Sequence, residues 1–386
     1  MQTAIKQQLQ AALAQRRAQQ RCRQLTTMTA LNATEILFQG QGYLSFSAND
    51  YLGLSHHPQV LDALRNAELA GSKASPLVTG YSAAHADLAA QLSHDLQRDR
   101  VLLFSSAFAA NTGALATLGG YYDALWLDRL SHASLISGAR QSGTATRRFP
   151  HQNFKQLQDR HLKSSSAQLV VVESVYSMDG DELDHAGFRQ VIAAPQVDGY
   201  IDDAHGFGVT GEAGLGCCAA YSQTTLPLVS LAFGKATGVA GGALAVSEDV
   251  ADYLINFCPE FIYSTAMPAS QARAIQAAIN VMQSAEGEQL RSRLRESIAQ
   301  FQEGCAALQL PVSPSDHAIQ TLLVGSDEAA VKYSERLRAA GIWCSAIRPP
   351  TVPEGSARLR ITLTAAHSHA QINELIQALA VVREQA

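Results

Sequence analysis

Short apolar runs rich in β-branched residues recur along the first two-thirds of the chain: RVLLF (100–104), ALWLD (124–128), AQLVVVES (167–174), GYIDD (199–203) and LVSLAFG (228–234). Between them lie segments of helical period, at 106–119, 133–141, 152–163 and 184–194. A strand, a helix and a further strand of the same kind form a crossover unit, so this rhythm specifies a mainly parallel sheet covered by helices on both faces. Ligands of such open sheets gather beyond the carboxyl ends of the strands. The polar residues that close the runs are therefore the ones to weigh: Ser105, Ser106, Asp128, Glu173, Ser174, Asp202, Asp203 and Lys235.

After CPEFIYSTAMP (258–268) the pattern changes to two long helical stretches, 269–285 and 287–308. AIQTLLVG (318–325), a helix at 327–340 and strands near 342–347 and 357–363 complete it. The chain thus reads as an N-terminal helical arm and segment over 1–45, a large α/β domain over 46–268, and linking helices with a smaller α+β domain over 269–386. A length of 386 residues agrees with more than one lobe.

Composition excludes several classes of function. The formal net charge is −5 and no long basic block occurs, so no nucleic-acid partner is expected. The densest basic stretch, QRRAQQRCR (15–23), reads as a solvated face of an N-terminal helix, with a substrate role for its arginines as the alternative. Cys22, Cys217, Cys218, Cys258, Cys305 and Cys344 form no C-x-x-C pair, and no secretory leader opens the chain. A reducing, cytoplasmic compartment, no membrane span and no metal-ligand set are expected.

The chemistry concentrates in SLAFGKATGVAGGA (230–243), where Lys235 stands alone among glycines and small residues. An amine cleared of bulk suits condensation with a flat cofactor. In YIDDAHGFGVTGEAGLG (200–216) an apolar strand ends in two aspartates and then His205. Alternation places Asp202 and Asp203 on opposite faces. Asp203 reads as a solvated cap, and Asp202 as the buried anion that keeps a pyridine nitrogen protonated. A strand-end aspartate followed by an isolated lysine is the logic of pyridoxal phosphate (PLP) sites. His205, three residues after Asp202, is within reach of the ring hydroxyl or is a hydrogen-bonded structural histidine. FSSAFAANTG (104–113) offers a phosphate cradle, a strand closing into small residues that open a helix, with backbone donors at Ala107 and Phe108.

FSSAFAANTG, SHASLISGAR, VVESVYSMDGD, IDDAHGFGVTGEAGLG, FGKATGVAGGA and IRPPTVPEGSARLRITLTAAH together resemble the α-oxoamine synthase family of fold-type I PLP-dependent transferases, from about Arg21 to near the C-terminus. The resemblance implies a large domain with a mainly parallel, seven-stranded type of sheet between helices, a smaller α+β C-terminal domain, and a homodimer. It implies PLP on Lys235, Asp202 at the pyridine nitrogen, His205 at the ring oxygen, and His132 stacked on the ring. Ala107 and Phe108 would bind the phosphate, with Ser177 and Glu173 close to the cofactor. Arg360, helped by Asn49, would take the amino-acid carboxylate, and Arg21 and Thr351 would touch the acyl substrate.

The last motif points to the family member that condenses L-alanine with a pimeloyl thioester of CoA or acyl carrier protein in biotin biosynthesis. Condensation of glycine with acetyl-CoA is the alternative. Two positions depart from the family pattern: Ala232 stands where a hydroxyl residue three before the lysine is frequent, and Pro76 in GSKASPLVTG (71–80) where arginine is common.

Overall fold

The structure is a computed structural model that describes residues 3–161 and 166–384. Residues 162–163 of the helix expected over 152–163 lie outside them; its described part is Phe154–His161. The chain divides into two compact units. The larger comprises Asn49–Ser177 and Asp181–Leu294, and the smaller the segment up to Ala48, Met178–Gly180 and the residues from Arg295 on. The N-terminal segment and the C-terminal lobe therefore belong to one unit. Helix Ala269–Gln283, read from the sequence with the C-terminal part, instead packs in the larger unit against helices Pro58–Arg65 and Ala83–Leu96.

The larger unit is built on seven strands, numbered here β1 (Arg100–Phe104), β2 (Ala124–Asp128), β3 (Thr146–Phe149), β4 (Gln168–Glu173), β5 (Val197–Asp202), β6 (Leu228–Ala232) and β7 (Gly242–Val246). Their order is β1-β7-β6-β5-β4-β2-β3. The run from β3 to β6 is parallel throughout, and β7 is antiparallel to both its neighbours. Every residue of β2, β4, β6 and β7 is buried, as strands covered on both faces require. On one face Leu102, Phe104, Leu125, Leu127, Val171 and Leu244 share a core with Ala114 and Leu115 of helix Ala107–Leu118. Register matters most at the carboxyl ends, where Glu173, Asp202 and Ser230 stand opposite one another on β4, β5 and β6.

Two strands lie outside the runs read from the sequence. β3 is an edge strand whose centre is the exposed pair Arg147 and Arg148, and β7 is GALAV, mostly small residues after a glycine-rich turn.

In the smaller unit, strands Ile319–Gly325, Ala357–Thr362 and Ser345–Ile347 form an antiparallel sheet with Ala357–Thr362 at its centre, wholly buried. A second sheet joins Thr29–Ala30, Glu35–Phe38 and Gln41–Ser45 to Ile342–Trp343. The first helix, Thr3–Ala18, ends before Arg21, so the basic stretch 15–23 is not one helical face. Among the described residues no helix is long and apolar enough to cross a membrane.

Candidate active site

β5 delivers its terminal aspartate into a fixed pair of donors. Asp202, 4% exposed, accepts the Ala204 N–H on Oδ1 at 3.0 Å and the Asn111 amide on Oδ2 at 2.6 Å. Asn111 sits in helix Ala107–Leu118, where its Oδ1 accepts the Tyr200 hydroxyl at 2.7 Å and its Nδ2 also reaches Ser134 Oγ at 3.0 Å. Bonds of this kind hold the carboxylate in one orientation. The neighbouring aspartate faces the other way, as alternation requires, but it is no solvated cap. Asp203 is fully buried and accepts the Cys217 N–H at 2.7 Å, because the loop 204–216 folds back over it. Burial pushes its carboxyl up to about 7, against the bonds it receives.

Beyond β6 the chain makes a tight turn around Lys235. Gly238 N–H returns to Lys235 O at 2.8 Å, Val239 N–H to Phe233 O at 2.9 Å, and the Thr237 hydroxyl to Phe233 O at 2.5 Å. Gly238 has φ +66°, and a Cβ there would stand 2.3 Å from Ser55 N, so the turn requires glycine. The Lys235 side chain is half-buried. Its charge acts on two neighbours. Glu173 is pushed well above the usual carboxylate range by burial and by Asp202, with Lys235 opposing. His132 is lowered by burial and by Lys235, with Asp202 opposing.

His132 caps helix Ala133–Gln141. Its Nδ1 accepts the Ser134 N–H at 3.3 Å and lies 2.7 Å from Ser134 Oγ, and its own backbone N–H donates to Glu173 Oε1 at 2.5 Å. With Nδ1 accepting, the neutral ring carries its proton on Nε2. The Phe108 ring meets it edge-on, centroids 6.2 Å apart. His205 Nδ1 lies 2.5 Å from the hydroxyl of buried Tyr51, which also reaches Asn49 Oδ1 at 3.4 Å. Ser177 is half-buried just past β4.

At the end of β1, Ser106 caps the helix with its Oγ on Ala109 N at 3.1 Å, and the first backbone bond of the helix runs from Ala110 N to Ser106 O. The amides of Ala107 and Phe108 precede that bond, so they head a helix of 12 residues as anion donors. Gly242 leaves this turn its space, since a Cβ there would fall 2.3 Å from Ala107 N. The donor set fits PLP: an amine for its aldehyde, a buried carboxylate for its ring nitrogen, an imidazole, and a helix terminus for its phosphate. Ala232 is buried and brings no hydroxyl to it.

Residues 41–379 match the family described as Aminotransferase class I and II. The chain belongs to this family. It is 43% identical to 8-amino-7-oxononanoate synthase of Cellvibrio japonicus over 99% of this chain and 97% of that one. It is 44% identical to the protein of the same name from Klebsiella pneumoniae, over 97% and 98% of the two chains. Among solved structures, serine palmitoyltransferase of S. paucimobilis superposes with a TM-score of 0.91 at 23% identity, covering 100% of this chain and 99% of its own. The 8-amino-7-oxononanoate synthase of Francisella tularensis gives 0.76 at 26% identity, covering 89% and 98%. The resemblance read from the six motifs and the expected fold-type I architecture are both borne out.

Three of the residues expected at the site belong to the smaller unit of this family member. Arg21 is held by Asp327 Oδ2 at 2.7 Å and by Glu354 Oε1 and Oε2 at 2.8 and 2.6 Å. Thr351 Oγ accepts from Arg23 at 2.9 Å, and Arg21, Arg23, Arg348 and Thr351 border one cavity of about 210 Å³. Arg360 is buried, with Nη1 3.0 Å from Thr362 Oγ1. Asn111 and Tyr51 escaped the sequence reading as site residues. The signal for Asn111 was present: an asparagine among alanines in an apolar helix needs buried partners.

Proposed function

We propose that the chain is a PLP-dependent acyltransferase that condenses L-alanine with a pimeloyl thioester, of CoA or of acyl carrier protein, in biotin biosynthesis. The products are 8-amino-7-oxononanoate, CO2 and the free thiol carrier. The observation that carries the chemistry is the Asp202 carboxylate, buried and held by Asn111 on the strand edge that also presents Lys235. The choice of substrates rests on the relatives named 8-amino-7-oxononanoate synthase over nearly the full chain.

Bound PLP supplies an electron sink for the alanine Cα. Lys235 would anchor the cofactor through Nζ, and the same amine would take the Cα proton of the substrate. Asp202 would keep the ring nitrogen protonated, and His205 would contact the ring oxygen. His132 would lie against the ring and would donate from Nε2 to the thioester oxygen as charge develops there. Glu173 and Ser177 would border the cofactor, and the Ala107 and Phe108 amides would bind its phosphate. Arg360, with Asn49, takes the alanine carboxylate. Arg21 and Thr351 meet the acyl chain.

The enzyme acts as a cytoplasmic homodimer. Leu77, Val78 and Tyr263, 50%, 73% and 80% exposed, are apolar side chains that a second copy of the chain would cover. An active monomer in sedimentation would contradict the dimer. Mass analysis of the products decides the reaction: alanine with a pimeloyl thioester yields 8-amino-7-oxononanoate, whereas turnover of glycine and acetyl-CoA alone reassigns the enzyme.

A further inference from the structure

The loop that leads from β2 to His132 is gripped by a histidine with no part in the chemistry above. His151 follows the edge strand β3, its Nδ1 2.9 Å from Asp128 Oδ1 and its Nε2 2.6 Å from Asp181 Oδ2. Asp128, fully buried at the end of β2, also accepts Leu130 N–H at 2.7 Å on Oδ1 and Gln152 N–H at 2.8 Å on Oδ2. Ser131 N–H returns to Asp128 O at 3.1 Å, the Arg148 guanidinium donates to Arg129 O, and His132 N–H ends on Glu173. Each residue from Asp128 to His132 is thereby tied down. The Tyr176 ring closes the clamp from the side, edge to face with His151 at 4.5 Å.

A carboxylate at each ring nitrogen requires a proton on both, so His151 is an imidazolium with no lone pair left to act as a base. Burial opposes that charge, yet the bonds to Asp128 and Asp181 hold its pKa up to about 10. Without the cation, the buried Asp128 carboxylate would stand uncompensated beside Glu173. The Leu130 and Gln152 bonds that set the loop would then loosen with it.

We propose that His151 is a positioning residue: the Asp128–His151–Asp181 clamp fixes the 128–132 loop so that the His132 ring faces the cofactor in its working orientation. The proposal rests on the role given to His132 above. A loop displaced by about 1 Å loses on the order of 10²-fold in rate, so a partly loosened clamp shows mainly in kcat.

The test uses the PLP-loaded enzyme with His151→Gln and with Asp181→Asn, each alone and combined with His132→Ala. The readouts are steady-state kinetics with L-alanine and the visible circular dichroism of the bound cofactor. Each clamp variant keeps PLP on Lys235, lowers kcat by about tenfold with KM for alanine within about twofold, and shifts the dichroic band as His132→Ala does. On the His132→Ala background neither variant lowers kcat further. Losses that add to that of His132→Ala overturn the proposal, since the clamp then acts elsewhere. An unchanged band with normal kcat overturns it as well. A His132→Ala enzyme with normal kcat and band refutes the His132 reading itself, which that variant alone reveals. If His151→Gln fails to fold, Asp181→Asn, at the partly exposed end of the clamp, carries the same comparison.

Discussion

Asn111 Nδ2 lies 2.6 Å from Asp202 Oδ2 while its Oδ1 accepts the Tyr200 hydroxyl, so one helix side chain bridges two residues of the facing strand β5. Tyr200 and Asp202 point to the same face because strand side chains alternate. The bridge fixes the Asp202 carboxylate in a buried setting.

Replacing Asn111 with Leu keeps the branched shape but removes its bonds to three polar partners, Asp202, Tyr200 and Ser134. Each costs about 1–3 kcal/mol, so thermal denaturation should show a clear fall in Tm. Asn111→Asp should be worse for activity than for stability, because a second carboxylate raises one pKa of the pair and weakens the charge at the ring nitrogen. Comparing kcat and PLP content of the two variants checks this.

Lys235→Ala should abolish turnover and the yellow colour of the PLP enzyme. Borohydride treatment of the parent should fix a pyridoxyl group on the peptide containing Lys235. Label on another lysine, or none, would disprove the assignment.

Lys235 and Asp202 were legible as strand-end residues because the strand rhythm puts both at one edge, where the end of β5 and the turn after β6 carry them. The β-branched runs marked five strands, since burial on both faces demands apolar continuity. β3 was not legible: as an edge strand it tolerates Arg147 and Arg148. Asp203 misled because nothing in YIDDAHG reports a loop folding back over it. That closure depends on Gly216, where a Cβ would stand 2.0 Å from Asp203 Oδ2. The clamp around His151 draws on residues 128, 151 and 181, which only the folded sheet brings together.

Asp203 makes stability depend on pH. Its folded pKa, about 7, lies above the ordinary carboxylate value of 3.8, so the folded state binds the proton more tightly. The associated stabilisation is complete below about pH 4 and is lost as pH rises through 7. Asp203→Asn, which needs no proton, should therefore gain Tm relative to the parent between pH 5 and pH 8. A constant difference across that range would place the titration elsewhere. Activity separates the two aspartates: Asp202→Asn should retain PLP but lose on the order of 10²-fold or more in kcat, because the ring nitrogen loses its counter-charge, whereas Asp203→Asn should remain active.

The Arg21 guanidinium, proposed to meet the acyl chain, already has two carboxylates. Asp327 is largely buried against it, with a side chain 17% exposed, whereas Glu354 is 74% exposed. A pimeloyl chain ending in a free carboxylate competes with Glu354 for the same N–H groups. Exposed ion pairs are worth about 0–1 kcal/mol, so the competition is modest. Glu354→Gln should lower KM for a free-acid pimeloyl thioester by about two- to fivefold, leave kcat unchanged, and leave KM for the methyl ester unchanged. An equal effect on both donors would show that Glu354 acts on the chain or its carrier, and no effect on either would place the distal carboxylate away from Arg21.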